Sequence, residues 1–578
     1  MKSQNILGII CGLLLVLSCT TGSDKPVDSV NQLYEVIENW EHYDSYDYDA
    51  NPLGLFTKER YEKDAKFAES QLNLLEGVKE DELSESEQIS LALIKFQLQD
   101  RIDTFEFESY LNPLLSDSGF HTNLPHQVKT FRSLQAYDTY LKKLNAFPEF
   151  VEQHITLMRE GLEKNISQPK EIFNDFEETY NAHIVENSEN SFYFSPFKNF
   201  PNSISEFQQD SLIKIGRQVI SDKVTPQFKV IKAFFEEEYF PKTRKAGGVL
   251  HRENGKAYYE NRIKYYTTLD MSPQEVHEKG LAEVKRIREA METIIKEVGF
   301  KGDFDAFLNF LRTDPQFYAT TGEGLLKEAR NISKKIDAQL PAFFLTLPRK
   351  PYGVAPVPDV IAPKYTGGRY IPTGKNSTRP GYYWVNTYNL PSRPLYILPA
   401  LTLHEAVPGH HLQMSLNNEL GDHIPQFRRN LYLSAYGEGW GLYAEFLGND
   451  MGIYETPYEH FGKYTYEMWR ACRLVIDTGI HAMGWTREQS VDYLKSNTAL
   501  SLHEVNTEID RYISWPGQAV SYKIGELKIR ELRRRAEEQL KSKFDIREFH
   551  EVLLEEGTVT LTIMEDRVEN YIAQKINE

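Results

Sequence analysis

Signals for helix starts and amphipathic periodicity recur along most of this chain, and they limit its possible folds more than any other feature. From about residue 30 to residue 345, one amphipathic stretch follows another, with Pro and Gly where turns belong. Ser272 begins a capping box that predicts a helix running to about Val298. Later helix starts are predicted at Thr486, Ser501 and Asp545. The sequence therefore predicts a mainly α-helical protein.

One stretch departs from this texture. From about Pro348 to Pro394 the chain is rich in Pro, Gly, Thr and Tyr, and Gly381 to Tyr388 has the aromatic and β-branched residues of a strand. Helical texture returns near Tyr396. We predict a small β element there and divide the chain into a helical N-terminal region, 30–345, and a region with the candidate site, 346–578.

The first residues are typical of an export signal. Lys2 supplies a positive charge, and the apolar run from Ile6 to Leu17 is too short to span a bilayer comfortably. The run ends at Ser18-Cys19, which resembles a bacterial lipobox. We predict a signal peptide over 1–18, a lipid on Cys19 and a tether over 19–29, so that the protein is anchored to a membrane and faces the periplasm or the cell exterior. The alternatives are a plain signal peptide and a short anchor helix.

Cysteine content and charge exclude several classes of protein. The three cysteines are Cys11, Cys19 and Cys472, so the exported part has one thiol and neither an internal disulfide nor a four-cysteine zinc site. A net charge of −18 argues against binding to nucleic acid and against broad binding to anionic lipid. Any bound metal must therefore be held by His, Asp and Glu.

The segment from His404 to His411 has three His and one Glu within eight residues. In the zinc-peptidase motif H-E-x-x-H, two His four residues apart share one face of a helix, and the Glu polarises a water molecule. Here Pro408 occupies the place of the second His. Because Pro408-Gly409 is expected to interrupt the helix, a local bulge can return His410 to the face of His404. We favour His410 over His411 as the second metal ligand.

Other His-Glu pairs carry less information. They lie at His277, His503 and His550, and each lacks a His four residues later, which favours solvated helix faces. A catalytic zinc site needs a third protein ligand, and the Gly- and aromatic-rich segment about 30 residues downstream offers Glu438, with Glu445 as the second choice. The remaining interpretation of the 404–411 segment is a hydrogen-bonded core cluster.

These segments together resemble a known family. H-E-A-x-P-G-H-H-x-Q at 404–413, E-G-W-x-L-Y-x-E at 438–445 and the segment 511–525 are similar to the bacterial family called domain of unknown function 885. That family is similar to the helical gluzincin peptidases, which hold zinc with two His and a Glu. The resemblance implies a gluzincin-like fold with His404, His410 and Glu438 as zinc ligands and Glu405 as the catalytic base. The wider spacing of the His residues departs from the gluzincin pattern.

Helical gluzincins steady the oxyanion with a Tyr from a C-terminal segment, and Tyr522 resembles that residue, with Tyr512 or Arg511 as alternatives. The resemblance implies a zinc-dependent peptidase with a peptide substrate, which we expect to pair with Tyr382–Tyr388 as an added strand. The alternatives are a zinc hydrolase of another amide or ester and a non-catalytic lipoprotein that binds peptide or metal. Four residues at helical spacing are predicted either to line the site or to form a buried ion network: Arg470, Arg473, Asp477 and His481.

Overall fold

The computed structural model describes residues 28–44, 46–245, 247–359 and 361–578. The predicted signal peptide, Cys19 and nearly all of the predicted tether lie outside these residues. The described chain is mainly α-helical, which confirms the predicted fold class. Across these residues, no helix combines the length and the apolar character needed to cross a bilayer.

Helices account for nearly all regular structure before residue 345. They are α1 Ser29–His42, α2 Lys58–Leu75, α3 Glu85–Glu106, α4 Leu134–Glu163, α5 Glu178–Asn181, α6 Glu206–Val219, α7 Thr225–Ala233, α8 Phe240–Lys242, α9 Gly255–Thr267, α10 Pro273–Glu297, α11 Phe304–Thr313 and α12 Gly322–Phe343. Two π-helical turns, 220–224 and 234–239, join α6 to α7 and α7 to α8. The hydroxyl of Ser272 accepts a hydrogen bond from Glu275 N–H, and α10 ends one residue before Val298, which confirms the predicted start and end.

The β element is a three-stranded sheet of β1 Tyr352–Pro356, β2 Gly368–Ile371 and β3 Gly381–Val385. β3 lies in the middle of the sheet, parallel to β1 and antiparallel to β2. The predicted strand is therefore confirmed over its first five residues. Its predicted role as an edge strand for a peptide is wrong, because both of its edges already pair within the sheet.

A second set of helices follows the sheet. They are α13 Leu398–Glu405, α14 His410–Glu419, α15 Gln426–Asn430, α16 Ser434–Leu447, α17 Pro457–Ala482, α18 Arg487–Asn497, α19 Leu502–Ser514, α20 Ser521–Leu540, α21 Ile546–Leu554 and α22 Leu561–Asn577. The predicted starts are confirmed, since Thr486, Ser501 and Asp545 are the N-caps of α18, α19 and α21.

Helices α16 and α20 pack unusually close to each other. A Cβ on Gly439 would lie 2.6 Å from the Cα of Gly525, and a Cβ on Gly525 would lie 2.0 Å from the carbonyl oxygen of Ala435. Only glycine allows this approach. The first turn of α20, which carries Tyr522, consequently lies against the first turns of α16, which carry Glu438.

The hydrophobic core runs across the boundary at residue 345. One large cluster of buried side chains in the described chain joins Leu33 of α1 and Leu93 of α3 to Leu403 of α13, Trp440 of α16 and Val568 of α22. The division of the chain into regions 30–345 and 346–578 stays a prediction. The site helices α13 and α16 are held in a core to which both ends of the described chain contribute.

Candidate metal centre

A bulge separates α13 from α14 and decides where the histidines point. Gly409 N–H donates to the carbonyl oxygen of Leu403 at 2.9 Å, in place of the ordinary helical bond four residues back. A Cβ at position 409 would lie 1.9 Å from the carbonyl oxygen of His404, so that only glycine fits there. Trp440 Nε1–H donates to the carbonyl oxygen of Pro408 at 2.7 Å and fixes the bulge to α16.

The bulge brings His410 beside His404. The ring centroids lie 4.7 Å apart with the planes at 89°. The Nε2 atoms of His404 and His410 lie 3.4 Å and 3.5 Å from Oε2 of Glu438. Ligand atoms of His404, His410 and Glu438 all lie within 4.8 Å of one another, and the structure thus unites the three residues that the resemblance implied.

Glu438 is the acidic member of this cluster and lies in the second turn of α16, with its side chain 16% exposed. Burial would raise the pKa of Glu438, but the neighbouring charge of His410 and the hydrogen bonds to both imidazoles outweigh burial and hold the pKa well below its ordinary value. The hydroxyl of Tyr432 donates to Glu438 Oε1 at 3.0 Å. The carboxylate is therefore ionised and oriented.

Glu445 lies behind His404 and not in the metal-ligand cluster. His404 Nδ1–H donates to Glu445 Oε1 at 2.8 Å, which leaves Nε2 of the same ring directed toward Glu438. Arg470 lies 3.3 Å from the same carboxylate oxygen. Burial would lower the pKa of His404, but its hydrogen bonds to Glu438 and Glu445 raise it to about 10. A carboxylate on the far nitrogen is the usual arrangement behind a metal-binding His.

His411 points away from the cluster. Its Nδ1 lies 3.0 Å from the hydroxyl of Tyr370 and 3.2 Å from that of Ser415. Burial lowers the pKa of His411 to about 4, so the ring is neutral. The structure thus groups His410, and not His411, with His404.

Glu405 is the last residue of α13 and is partly exposed. Its Oε2 accepts a hydrogen bond from the backbone N–H of Tyr370 in β2 at 2.7 Å. Within the described residues β2 pairs with β3 alone, so the edge of β2 that faces away from β3 faces Glu405. The sheet therefore positions the predicted base next to an open strand edge.

Tyr522 and Tyr512 differ in how their hydroxyls are used. The hydroxyl oxygen of Tyr522 accepts a hydrogen bond from Arg511 at 3.3 Å, and the guanidinium of Arg473 lies 4.4 Å from the ring centroid. The hydroxyl of Tyr512 accepts from Arg473 and donates to Glu508 at 2.6 Å, and this side chain is buried. Tyr512 is a packing residue, whereas Tyr522 keeps its own proton available.

The four α17 residues divide between the two predicted roles. Arg470 contacts Glu445 behind the metal cluster. Arg473 pairs with Glu508, Asp477 accepts from Tyr259 and Gly517, and His481 contacts the carbonyl oxygen of Tyr512 in a buried network.

The prediction of solvated helix faces is wrong for His277 and His550, which are buried and lie 2.8 Å from the hydroxyls of Thr478 and Tyr443.

The donor set fits a zinc ion. Two imidazole nitrogens and one carboxylate are the ligand types that zinc takes in catalytic sites. The Nδ1 atom of His410 is buried and has no hydrogen-bond partner among the described residues. No hydrogen bond to that nitrogen therefore fixes the orientation of the ring. Sequence reasoning named Glu445 as a ligand of second choice and did not find Tyr432. Glu438 and Glu445 are seven residues apart and therefore lie on one helix face. This spacing was the sequence signal that both carboxylates belong to the same site.

Comparisons with known proteins agree with this fold. Two solved structures of proteins each named "putative lipoprotein" are similar to the chain. The one from Colwellia psychrerythraea has a TM-score of 0.85 and 26% identity over 95% of this chain and 100% of that one. The one from Shewanella oneidensis, described as of unknown function, has a TM-score of 0.67 and 17% identity over 93% of this chain and 97% of that one.

These names agree with the predicted lipid anchor. No curated protein matches the chain. The family model described as "Bacterial protein of unknown function (DUF885)" matches residues 43–568, which is most of the length. The chain therefore belongs to this family.

Proposed function

We propose that this protein is a zinc-dependent peptidase of the bacterial cell envelope. The observation that carries the proposal is the convergence of His404, His410 and Glu438, whose ligand atoms lie within 4.8 Å of one another. Glu405 follows His404 directly in the chain. Three protein ligands that leave a further position open are typical of catalytic zinc sites. The chemistry that zinc supplies in such a site is Lewis acidity, which makes a water molecule acidic near neutral pH.

Glu405 has the position of a general base. Its Oε2 is held by the N–H of Tyr370, and its second oxygen takes a proton from the attacking water and then delivers it to the leaving amine. The alternation between carboxylate and carboxylic acid requires a group that is oriented but not neutralised. Among the described residues, the hydrogen-bond partner of this carboxylate is the neutral backbone amide of Tyr370.

Tyr522 supports the same reaction from the opposite helix. Arg511 donates to its oxygen, so the hydroxyl proton is directed elsewhere and can stabilise the oxyanion that forms at the peptide carbonyl. The close packing of Gly439 on Gly525 sets the distance between the helices that carry Glu438 and Tyr522. Arg511 is a positioning residue in this scheme.

The substrate is an extended peptide. We expect it to pair along the open edge of β2, because that edge faces Glu405 and an added strand places a backbone carbonyl at a fixed position. The open edge of β2 thus takes the role that the sequence predicted for β3, which lies inside the sheet. The lipid on Cys19 would hold the enzyme at the membrane, facing the periplasm or the cell exterior, and the names of the two similar structures support an anchor of this kind.

Metal analysis and a peptide-library digest of the purified protein test the proposal. We expect one zinc ion per chain and chelator-sensitive peptide cleavage that zinc restores. Glu405→Gln is expected to retain zinc and to lose at least about 10²-fold in turnover, the size of a general-base contribution. Glu538→Gln is the matched control, because that side chain is 61% exposed on α20.

Other results would exclude the proposal in different ways. Zinc binding without cleavage of any library peptide points to a non-catalytic binding protein, and cleavage of ester or amide substrates alone points to another hydrolase. Full activity of Glu405→Gln would remove Glu405 from the mechanism.

A further inference from the structure

Two guanidinium groups lie against Tyr522, next to the candidate metal centre. Arg511 donates to the Tyr522 hydroxyl at 3.3 Å, and the guanidinium carbon of Arg473 lies 4.4 Å from the centre of the Tyr522 ring. The hydroxyls of Ser434 and Ser521 lie 2.7 Å apart and join the first turn of α20 to the first turn of α16, the helix that carries the acidic candidate ligand. The two guanidinium groups therefore lie near the place where the carbonyl of the scissile bond is expected.

One ionised carboxylate is shared between these two cations. Glu508 lies 3.0 Å from Arg473 and 3.4 Å from Arg511. Burial would raise the pKa of Glu508, but the charges of both arginines lower it to about 2. Asp477 also interacts with Arg511, but burial raises the pKa of Asp477 to about 7, so that its carboxyl group is mainly neutral below that pH. In mildly acidic solution these four side chains together carry two positive charges and one negative charge.

Both guanidinium groups have N–H donors left for a ligand. Nη1 of Arg473 is buried and has no hydrogen-bond partner among the described residues. Arg511 is 26% exposed. Its side chain donates to Glu508, Gln518 and Tyr522, and a guanidinium has more N–H groups than these three bonds use. A carboxylate is the acceptor that such donors favour, because a hydrogen bond between two charged groups is stronger than a neutral one.

We propose that Arg511 and Arg473 bind the C-terminal carboxylate of the substrate, so that the protein is a carboxypeptidase that releases one amino acid at a time. This inference rests on the proposed peptidase function and adds the end of the peptide at which cleavage occurs. The part of the substrate that precedes the scissile bond lies along the open edge of β2, as described above. Arg511 contacts the substrate in addition to positioning Tyr522.

The position of Arg511 fits a leaving group of one residue. Its Nη2 lies 3.3 Å from the hydroxyl oxygen of Tyr522, which is expected to contact the scissile carbonyl. Standard bond lengths place the carboxyl carbon of the next residue within about 4 Å of the scissile carbonyl carbon, and each further residue adds up to about 3.8 Å. A carboxylate on the residue directly after the scissile bond therefore reaches the guanidinium, whereas the carboxylate of a longer leaving group lies farther away.

The reaction consumes one water molecule for each residue that is released. The scissile carbonyl carbon gains the hydroxyl of the water, the C–N bond breaks, and Glu405 delivers the proton to the leaving nitrogen. The products are a free amino acid and a peptide shortened by one residue. The new C-terminal carboxylate of that peptide can then bind to the same two guanidinium groups.

Digestion of matched peptides by the purified full chain at pH 6.5 tests this proposal. Acetyl-alanyl-alanyl-phenylalanine has a free C-terminal carboxylate, its C-terminal amide lacks that charge, and acetyl-alanyl-alanyl-aspartyl amide has a carboxylate in the side chain alone. Mass spectrometry identifies the products. We expect free phenylalanine to be released, with a kcat/KM for the acid at least about tenfold above that for either amide, the effect of one charge-assisted hydrogen bond.

The ratio of kcat/KM for the acid to kcat/KM for its amide separates carboxylate binding from the positioning role of Arg511. Arg511→Gln slows both substrates, because Tyr522 loses a donor, and is also expected to lower this ratio at least about tenfold. Arg511→Lys keeps the positive charge and should restore most of the ratio. Tyr522→Phe should slow both substrates and leave the ratio unchanged. Arg534→Gln, whose side chain is 63% exposed on α20, is the control and should match the wild type.

Equal cleavage of the acid and its amide, cleavage at internal bonds alone, or release of dipeptides would overturn this proposal and leave the proposed peptidase function intact. Faster cleavage of the aspartyl amide than of the free acid would assign the guanidinium groups to a substrate side chain and overturn it as well. An unchanged ratio in folded Arg511→Gln would have the same consequence. If that variant does not fold, the comparison of acid with amide in the wild type still decides. Absence of cleavage of every peptide would overturn both proposals.

Discussion

Two buried groups of charged side chains in this protein contrast in the source of their positive charge. In the first, Lys523 is fully buried and lies within 2.9 Å of carboxylate oxygens of Glu283, Glu467 and Glu526. Arg286, Lys463 and Arg530 add further cations. In the second, the candidate metal centre, Glu438 and Glu445 face the two nitrogens of His404. The first group is neutralised by the protein itself, whereas the second converges on a point that suits a cation.

The difference indicates how a candidate metal site can be told apart from other buried acids. Burial would raise the pKa of Glu467, but Lys523 and the neighbouring cations outweigh burial and hold it well below its ordinary value, as the imidazoles do for Glu438. The shift itself therefore does not distinguish the two groups. What distinguishes them is whether a cation is already supplied by the protein. Lys523 contacts three carboxylates in the first group. In the second group, one imidazole nitrogen each of His404 and His410 is directed to a position shared with Glu438.

The largest expected effect comes from removing the internal cation. Lys523→Met removes the cation that contacts all three carboxylates, and we expect a loss of about 3–5 kcal/mol in the free energy of unfolding, measured by denaturant titration. Lys66→Met is the matched control. The side chain of Lys66 is 69% exposed, so the stability of this variant should equal that of the wild type. Wild-type stability of the Lys523→Met protein would contradict the contrast.

The next effect compares the hydroxyl of Tyr522, whose proton is available, with that of Tyr512, which is already hydrogen-bonded. Tyr522→Phe is expected to lower kcat by about 10²–10³-fold with zinc content and KM unchanged, as for loss of one oxyanion donor. Tyr512→Phe should lower stability and leave kcat intact, because the Tyr512 hydroxyl is already bonded to Arg473 and Glu508. Steady-state kinetics on a fluorogenic peptide measures both. The reverse pattern would assign the oxyanion to Tyr512.

A third effect tests Glu445, the residue behind the proposed metal ligand His404. Glu445→Gln keeps the shape of the side chain but removes the charge opposite His404 Nδ1, and we expect the dissociation constant for zinc to rise by about 10–100-fold. Competition with a chromophoric chelator measures this constant. Glu538→Gln on the exposed face of α20 should leave it unchanged, and a similar rise in both proteins would show a general effect of charge.

The smallest effect, taken per pH unit, concerns a buried acid that keeps its proton. Burial raises the pKa of Asp477 from 3.8 to about 7, although hydrogen bonds from Tyr259 and the Gly517 N–H lower it. Since the folded pKa is above the unfolded one, the folded state binds the extra proton. Its contribution to stability is present below pH 3.8 and is lost as the pH rises to about 7, with a slope of at most about 1.4 kcal/mol per pH unit.

Asp477→Asn is neutral at every pH and should remove this slope. Denaturant unfolding at pH 5, 6, 7 and 8 measures it, and Asp422→Asn is the control, with a side chain that is 86% exposed. An unchanged slope in Asp477→Asn would mean that Asp477 is ionised in the folded state, as the acids around Lys523 are.

Much of the candidate site was predictable from the sequence because its candidate ligands lie in two short segments. His404 and His410 are six residues apart, and Glu438 and Glu445 share one face of α16. The strand Gly381–Val385 and the helix starts at Ser272, Thr486, Ser501 and Asp545 were also predicted, since capping and strand propensity are local properties. Pairing partners of a strand lie elsewhere in the chain, so the central position of β3 was not predictable.

By itself, the sequence determined the helical class, the helix starts and the small set of residues that can hold a metal. The tertiary structure alone decided how that set is used. The contact of Gly409 with the backbone of α13 and the bond from Trp440 select His410, and the packing of α16 behind α13 turns Glu445 from a possible ligand into a partner of His404. Local preferences act over a few residues, whereas the direction of a buried side chain depends on partners that only folding brings near.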